Sequence, residues 1–450
     1  MNLEGKKVVV VGTGVSGIGA AGLLERVGAR VVIYDGNDKL DKNTVRAKIP
    51  AETEAEIVTG ELTDSVLSET SLAVISPGVP IDSPAVRRFR DAEIPVWGEI
   101  ELAYNYEKGT VYAITGTNGK TTTTTLVGEI MRAFNEKTFV VGNIGTSYTG
   151  ETLKTSADSI TVAEISSFQL ETIHDFAPRG TAILNITPDH LDRHYTMENY
   201  IAVKESITRN QGGDGFCVLN YDDEILREFG KTLPNPIYFS RKTRLEKGAY
   251  LDGTMIKYAD SGKVIDIIDV NDMFIFGSHN YENVMAAAAI AINAGVPVNV
   301  ITDTIKSFKG VEHRIEFVRE KDGVVYYNDS KGTNPDSSIK ALEAMSRPTL
   351  IIAGGYDKHS EFDGFLDAFG GKVKLMVLIG ATAPQIEKTA LAHGFDRILR
   401  ADSLEEAVKI CGERAQSGDA VLLSPACASW DMFKSYEERG RLFKEYVGKL

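Results

Sequence analysis

The sequence predicts an α/β fold in three domains, at 1–98, 99–310 and 311–450. Short β-branched runs alternate with helical stretches along the whole chain, the pattern of sheets covered by helices. Glycine-rich turns at 12–17 and 116–121 each follow an apolar run and precede a helical pattern. A length of 450 residues, at about 150 per domain, is enough for about three cores.

In the first domain the apolar runs 8–11, 30–34, 72–76 and 94–97 read as strands, and 99–106 as a helix leading onward. The second domain should hold strands at 111–115, 138–141, 161–164, 182–186 and 216–220. The stretch 250–269 alternates around Asp252-Gly253 and Ser261-Gly262, which predicts antiparallel hairpins at one sheet edge. Helical patterns follow at 281–293 and 300–306. The third domain should open with a hairpin over 316–327 about Asp322-Gly323. Strands are expected next at 350–353, 375–379 and 421–424, and a closing helix over 432–446.

Composition excludes several classes. The chain is 43% apolar and 25% charged, which suits globular domains and not a disordered chain. Lys plus Arg number 49 against 63 Asp plus Glu, a net charge of −14, which disfavours a nucleic-acid partner. Cys217, Cys411 and Cys427 have no CxxC spacing, so neither a disulfide framework nor a structural zinc site is expected. Lys6-Lys7 before the uncharged run 8–24 imitates a signal peptide, but Gly12, Gly14, Gly17, Gly19 and Gly22 make a poor apolar helix. The uncharged stretch 283–302 is broken by Asn293, Gly295, Pro297 and Asn299, so no membrane span is expected. These features lead us to expect a soluble, cytoplasmic protein with no membrane partner; a monomer is expected as well.

The strongest chemical signal is Gly116-Thr117-Asn118-Gly119-Lys120-Thr121, followed by Thr122. Glycines let backbone N–H groups approach phosphate oxygens, a lysine reaches the β- and γ-oxygens, and a threonine hydroxyl can hold Mg²⁺. The loop is compact, because Ile114 stands where the general pattern places its first glycine. Glu164 ends the run 161–164, where an acid in a phosphoryl-transfer site holds the metal. Thr187-Pro188-Asp189-His190 follows the run 182–186, and both groups should face the loop beyond the carboxyl ends of their strands. Gly12-Thr13-Gly14-Val15-Ser16-Gly17, with Asp35 ending the next strand, is a dinucleotide fingerprint by spacing and makes the first domain Rossmann-like. Read alone it suggests an NAD-dependent oxidoreductase. Its physical content is a diphosphate on a helix N-terminus. In the third domain the strands lead to polar clusters at 328–334, 354–358 and 425–431, after His313-Arg314. Together they bring Arg314, Lys331 and Lys358 toward one crevice, which invites an anionic substrate.

With these motifs in order, the chain resembles the Mur ligase family over nearly its full length. The resemblance is carried by the loop at 116–122, by Glu164-Ile165-Ser166-Ser167-Phe168-Gln169-Leu170-Glu171 and by Asp189-His190-Leu191-Asp192-Arg193. His279-Asn280-Tyr281-Glu282-Asn283, His313-Arg314, the segment 329–334 and the segment 424–430 complete it. It implies a domain for a UDP-linked substrate, a central phosphate-loop ATPase domain on a parallel sheet with an antiparallel edge, and a Rossmann-like C-terminal domain for an incoming amino acid. ATP would phosphorylate the alanine carboxylate of UDP-N-acetylmuramoyl-L-alanine. The amine of D-glutamate would then displace phosphate, in peptidoglycan precursor synthesis.

The resemblance also implies roles. Lys120 would sit on the ATP phosphates, and Thr121 and Glu164 would hold one Mg²⁺. His190, with Lys204 as a carbamate, would hold a second; on spacing alone Lys204 is a solvated helix lysine. Asn283, Arg314 and Asp329 would contact adenosine, its ribose or its phosphates. Val15, Ser16, Asp35 and Gly78 would line the uridine diphosphate site, and Asn143 the muramoyl part. Lys331, Thr333, Lys358, Ser429, Trp430 and Tyr436 would form the D-glutamate pocket. Another amide ligase of this type, adding L-alanine or a diamino acid, is the nearest alternative. An oxidoreductase would leave the loop at 116–121 and Glu164 without a role.

Overall fold

The computed structural model describes residues 1–49, 54–356 and 360–450. The chain packs into two compact units, Met1–Val270 with Tyr281–Ile305, and Asn271–Asn280 with Lys306–Leu450.

The first unit contains two sheets. The N-terminal one is parallel, with β1 (Lys7–Val11), β2 (Arg30–Asp35), β3 (Glu56–Thr59), β4 (Thr70–Ile75) and β5 (Val96–Gly98) in the order β3-β2-β1-β4-β5. Val9 lies opposite Val32 on one side and Ala73 on the other. Helices cover both faces, so the central strands are continuous apolar runs rather than alternating ones. The helix Val15–Arg26 lies close on β1 because Gly17 has no side chain: a Cβ there would stand 2.1 Å from the Gly12 carbonyl oxygen.

The second sheet has nine strands: β6 (Thr110–Thr115), β7 (Thr138–Gly142), β8 (Ile160–Glu164), β9 (Gly180–Ile183), β10 (Phe216–Asn220), β11 (Pro236–Ser240), β12 (Gly248–Asp252), β13 (Met255–Asp260) and β14 (Lys263–Asp269). Their order is β14-β13-β12-β11-β10-β9-β6-β8-β7. The antiparallel edge is β12-β13-β14, turning at the two Gly-containing sites the sequence marks. β6 lies between β8 and β9, both parallel to it, so the three carboxyl ends open on one side. One expected strand is shorter than its β-branched run suggests: β9 stops at Ile183, and Leu184, Asn185 and Ile186 form the loop beyond it.

The second unit holds β15 (Glu316–Lys321), β16 (Val324–Asn328), β17 (Thr349–Ala353), β18 (Val373–Leu378), β19 (Ile398–Arg400) and β20 (Ala420–Leu423), in the order β15-β16-β20-β17-β18-β19. β15 and β16 form the expected antiparallel hairpin, and the remaining pairs are parallel. The closing helix begins at Tyr436, not near 432. Ser435 is its N-cap, accepting from the Glu438 N–H, while residues 429–433 form a separate turn in which Met432 and Phe433 donate to the Ser429 carbonyl. Among the described residues no helix is long and apolar enough to cross a membrane.

Candidate active site

The loop after β6 is shaped by its glycines and tied down by its neighbours. Gly119 is the N-cap of the helix Lys120–Phe134 at φ 83°, a left-handed position, and a Cβ there would stand 2.3 Å from Asn283 Oδ1. Asn283 is therefore seated beneath the loop, buried, with its Oδ1 accepting from the Thr123 hydroxyl at 3.2 Å. Thr121 and Thr122 occupy the first turn of that helix, Thr122 buried. The loop tip is bound to the segment after β9. Thr117 N–H donates to the Asn185 carbonyl at 2.9 Å. The Asn185 side chain accepts from Asn118 N–H at 2.8 Å and donates to the Asn118 carbonyl at 3.1 Å. The Thr117 hydroxyl meets the Thr187 backbone and the Tyr200 hydroxyl, each at 3.1 Å.

Lys120 curls over this loop, its Nζ donating to the carbonyls of Gly116 and Thr117 at 2.9 Å each. Lys204, on the helix Met197–Glu205, is not a solvated lysine. It is 1% exposed, donates to the same Gly116 carbonyl at 2.9 Å and lies 4.7 Å from the centre of the Tyr200 ring. Burial, and after it the charge of Lys120, pull its pKa down to about 7.

Glu164 closes β8 and is 1% exposed. Its Oε1 accepts from Asn143 Nδ2 at 2.7 Å, but its buried Oε2 has no hydrogen-bond partner among the described residues. A buried carboxylate oxygen left in this way costs stability and suits an incoming cation. Among the described residues no group of three His, Cys, Asp or Glu side chains is placed to hold a metal ion. A divalent ion here would therefore lean on hydroxyl and phosphate oxygens beside Glu164. His190 is half-exposed, at φ 52° before the turn Leu191–His194, with its ring 4.8 Å from that of Phe168. As an ammonium, Lys204 is a donor and cannot ligate a metal.

In the N-terminal sheet Val15 and Ser16 begin the helix after β1, with Val15 84% exposed. Asp35 ends β2 and accepts from the Thr13 hydroxyl at 2.9 Å, so the glycine-rich turn is tied to the end of β2. Gly78, exposed, lies in the loop after β4.

In the second unit Asp329 is buried after β16, accepting from the Ser424 hydroxyl at 2.7 Å and from Ile315 N–H at 3.3 Å. Burial pushes its carboxyl up to about 7. Arg314 is exposed one residue before Ile315. Lys331 donates its N–H to the His313 carbonyl, and its Nζ lies 5.8 Å from the Tyr436 ring centre. Thr333 N–H donates to the Lys331 carbonyl at 2.8 Å. Ser429 is buried, and Trp430, 63% exposed, packs on Tyr356 at 5.5 Å between ring centres. Lys358 lies outside the described residues.

Sequence reasoning missed Asn185, Tyr200 and Arg439. The fully buried Arg439 donates to the carbonyls of Cys427, Ala428 and Ser330 and to the Ser330 hydroxyl, binding the loops after β16 and β20 to the closing helix. A signal existed for Asn185, a polar residue inside an apolar run at a strand's end. Arg439 lies in a charged stretch and gave none.

Family models match three consecutive stretches of the chain. They are the Mur ligase MurD-like N-terminal domain over 6–98, the Mur ligase middle domain over 114–291, and the Mur ligase glutamate ligase domain over 313–427. The UDP-N-acetylmuramoylalanine–D-glutamate ligase of Lachnospira eligens is 59% identical over the whole of both chains. Its counterpart in Lachnoclostridium phytofermentans is 53% identical over all of this chain and 99% of that one. The crystal structure of UDP-N-acetylmuramate–alanine ligase from Thermotoga maritima shares the fold, with a TM-score of 0.62 at 18% identity over 98% of this chain and 99% of that one. With that family's models on three consecutive stretches and a full-length relative at 59% identity, the chain belongs to the Mur ligase family.

Proposed function

We propose that this chain is an ATP-dependent ligase that joins D-glutamate to UDP-N-acetylmuramoyl-L-alanine through an acyl phosphate, a step of peptidoglycan precursor synthesis. It works in the cytoplasm as a monomer, with no nucleic-acid or membrane partner. One observation carries the reading. The phosphate loop and the buried Lys204 meet at the Gly116 carbonyl, at the carboxyl end of β6, and the half-satisfied Glu164 ends the adjacent strand β8. The chain is also 59% identical over its whole length to a ligase of that name.

In this reading 1–98 seats the UDP moiety, through Val15, Ser16, Asp35 and Gly78. Residues 99–310 seat ATP on the loop Gly116-Thr117-Asn118-Gly119-Lys120-Thr121-Thr122, and 311–450 seat D-glutamate. Asn143 meets the muramoyl part. Lys331, Thr333, Lys358, Ser429, Trp430 and Tyr436 take the amino acid, whose two carboxylates call for cations and N–H or O–H donors. Arg314 and Asp329 serve the adenosine, and Asn283 supports the loop beneath it.

The alanine carboxylate oxygen attacks the γ-phosphorus, the bond to the bridging oxygen breaks, and ADP leaves. The amine of D-glutamate then attacks the acyl carbon, phosphate departs with the bonding pair, and the amine loses a proton. Lys120 orients the phosphates and stabilises charge on the transferring group. Thr121 and Glu164 would hold one Mg²⁺, and His190 with a carbamate on Lys204 a second, adding positive charge at the phosphate and acyl oxygens. The carbamate would form when the neutral Lys204 amine adds to CO₂ and releases a proton. The lowered pKa keeps that neutral form available.

The test is ADP release by the purified protein with each UDP-muramoyl substrate, with and without D-glutamate. Turnover that requires UDP-N-acetylmuramoyl-L-alanine and D-glutamate together supports the reading. Turnover with UDP-N-acetylmuramate and L-alanine, or with a diamino acid, would replace it.

A further inference from the structure

The turn that follows His190, Leu191–His194, is four residues long and lies between two left-handed residues, His190 at φ 52° and Tyr195 at φ 68°. One helical turn cannot fix its own geometry, because nucleation costs more than its few hydrogen bonds return. Its side chains must be held from outside, and Arg193 makes that contact. Its Nη2 donates to Glu171 Oε2 at 2.6 Å and to the carbonyl of Val79 at 3.0 Å, and its Nε donates to Glu171 Oε1 at 3.3 Å. The guanidinium carbon lies 5.0 Å from the centre of the Phe168 ring, the ring that packs on His190. The pair is largely shielded from water, with 13% of the Arg193 and 3% of the Glu171 side chain exposed, and His194 Nδ1 stands 3.4 Å from the same carboxylate. This arrangement is unlike a surface salt bridge, whose partners stay solvated.

Val79 follows Gly78 in the loop after β4, so one side chain connects a loop of the N-terminal sheet with the turn that carries His190. Tyr195 adds an outer tie between the same segments, its hydroxyl donating to Asp82 Oδ2 at 2.5 Å. We propose that Arg193 is a positioning residue that holds the His190 ring, through Phe168, in fixed register with the Gly78-Val79 loop. Substrate seated on that loop then meets His190 in one geometry. The inference rests on the proposed roles of Gly78 and His190. Arginine is needed because its planar fork serves a carboxylate, a carbonyl and a ring face together, whereas lysine offers one nitrogen.

The experiment is steady-state kinetics of Arg193→Lys beside the wild type, with each of the three substrates varied in turn. The lysine keeps a charge beside Glu171. Expected is a ten- to hundredfold loss, about the value of a charged hydrogen bond, in kcat/KM for UDP-N-acetylmuramoyl-L-alanine. The KM values for ATP and D-glutamate should stay near wild type. If Arg193→Lys does not fold, Phe168→Leu, which leaves the ion pair intact, should give the same split. Unchanged constants, or equal shifts for all three substrates, overturn the proposal, since loosened packing would not single out one substrate. A wild-type enzyme inactive with these substrates defeats the functional reading instead, before any variant is compared.

Discussion

Lys120 and Lys204 donate to one and the same acceptor, the Gly116 carbonyl, each at 2.9 Å. Two cations on one carbonyl repel each other, and the buried one yields: Lys204 is drawn down to about 7 by burial first and by Lys120 second. The loop after β6 therefore sets two lysines on one carbonyl, and the buried one is an amine that can exist neutral.

Lys120→Ala should abolish ligation and leave the fold intact, because a side chain that stabilises transferring phosphate acts on the transition state more than on folding. Removing its charge should also let the Lys204 amine move up toward its ordinary value. Thermal melts, circular dichroism and product assays decide this. Near-normal turnover in a folded variant would remove the phosphate-loop assignment.

Lys204 should take up CO₂ in a pH-dependent way. The neutral amine is the form above the pKa, so carbamate should grow as pH rises through about 7. An ordinary lysine would show this rise only near about 10.4. Carbon-13 NMR in labelled bicarbonate reads it directly. Lys204→Ala should lose activity, with partial rescue by acetate or another short carboxylate. An absent carbamate signal together with no rescue would overturn the idea.

Much of this was legible in the sequence, for physical reasons that differ by element. The strand 216–220 was placed to the residue, because a buried parallel strand is a short, unbroken apolar run. The run 182–186 reads longer than the strand it contains, because Leu184 and Ile186 fit a strand while Asn185 turns aside to clasp Asn118. β3, β11 and β19 have no counterpart among the expected strands; all three are short, and Pro236 opens β11 where a strand signal should begin. The burial of Lys204 could not be read at all, since no pattern on its own helix distinguishes it from a solvated lysine. The loop at 116–121, by contrast, follows from consecutive residues, since Gly116 and Gly119 both take the positive φ that glycine allows.

Glu164 supplies a prediction about metal. Its buried Oε2, without a hydrogen-bond partner among the described residues, costs about 1–3 kcal/mol until something binds it. ATP with Mg²⁺ should therefore raise the melting temperature more than ATP with a chelator. Glu164→Gln should erase that difference, because the neutral amide lacks the negative charge that holds a divalent cation. An equal ATP shift in both conditions for the wild type would move the metal site elsewhere.

His393, in the second unit, gives a separate pH effect. Its imidazole lies between Asp363 Oδ1 at 2.9 Å and Asp367 Oδ1 at 3.0 Å, joining the helix Asp363–Asp367 to the end of the helix Ala383–Ala392. The hydrogen bond to Asp363, more than any other contact, raises its pKa. A raised histidine stabilises the fold fully below its unfolded value and loses that contribution as pH climbs through the folded one. The melting temperature of His393→Ala should thus fall furthest below wild type at about pH 5–6 and converge with it by about pH 9. The exposure of both acids keeps the effect small. Parallel melting curves across that range would count against the pairing.

Ser429 separates a pocket residue from a structural one. A serine before a final helix invites the reading of an N-cap, but Ser435 fills that place, and among the described residues Ser429 is held through its carbonyl, by Met432 and Phe433. Alanine keeps that carbonyl, so Ser429→Ala should melt close to wild type rather than lose the ~1 kcal/mol typical of a cap. If its hydroxyl donates to a carboxylate of D-glutamate, the KM for D-glutamate should rise about ten- to hundredfold while that for ATP stays put. Ser435→Ala is the control: it removes a true cap and should lower the melting temperature instead. A Ser429→Ala enzyme with an unaltered D-glutamate KM would place the amino acid against other residues of the loops after β16 and β20.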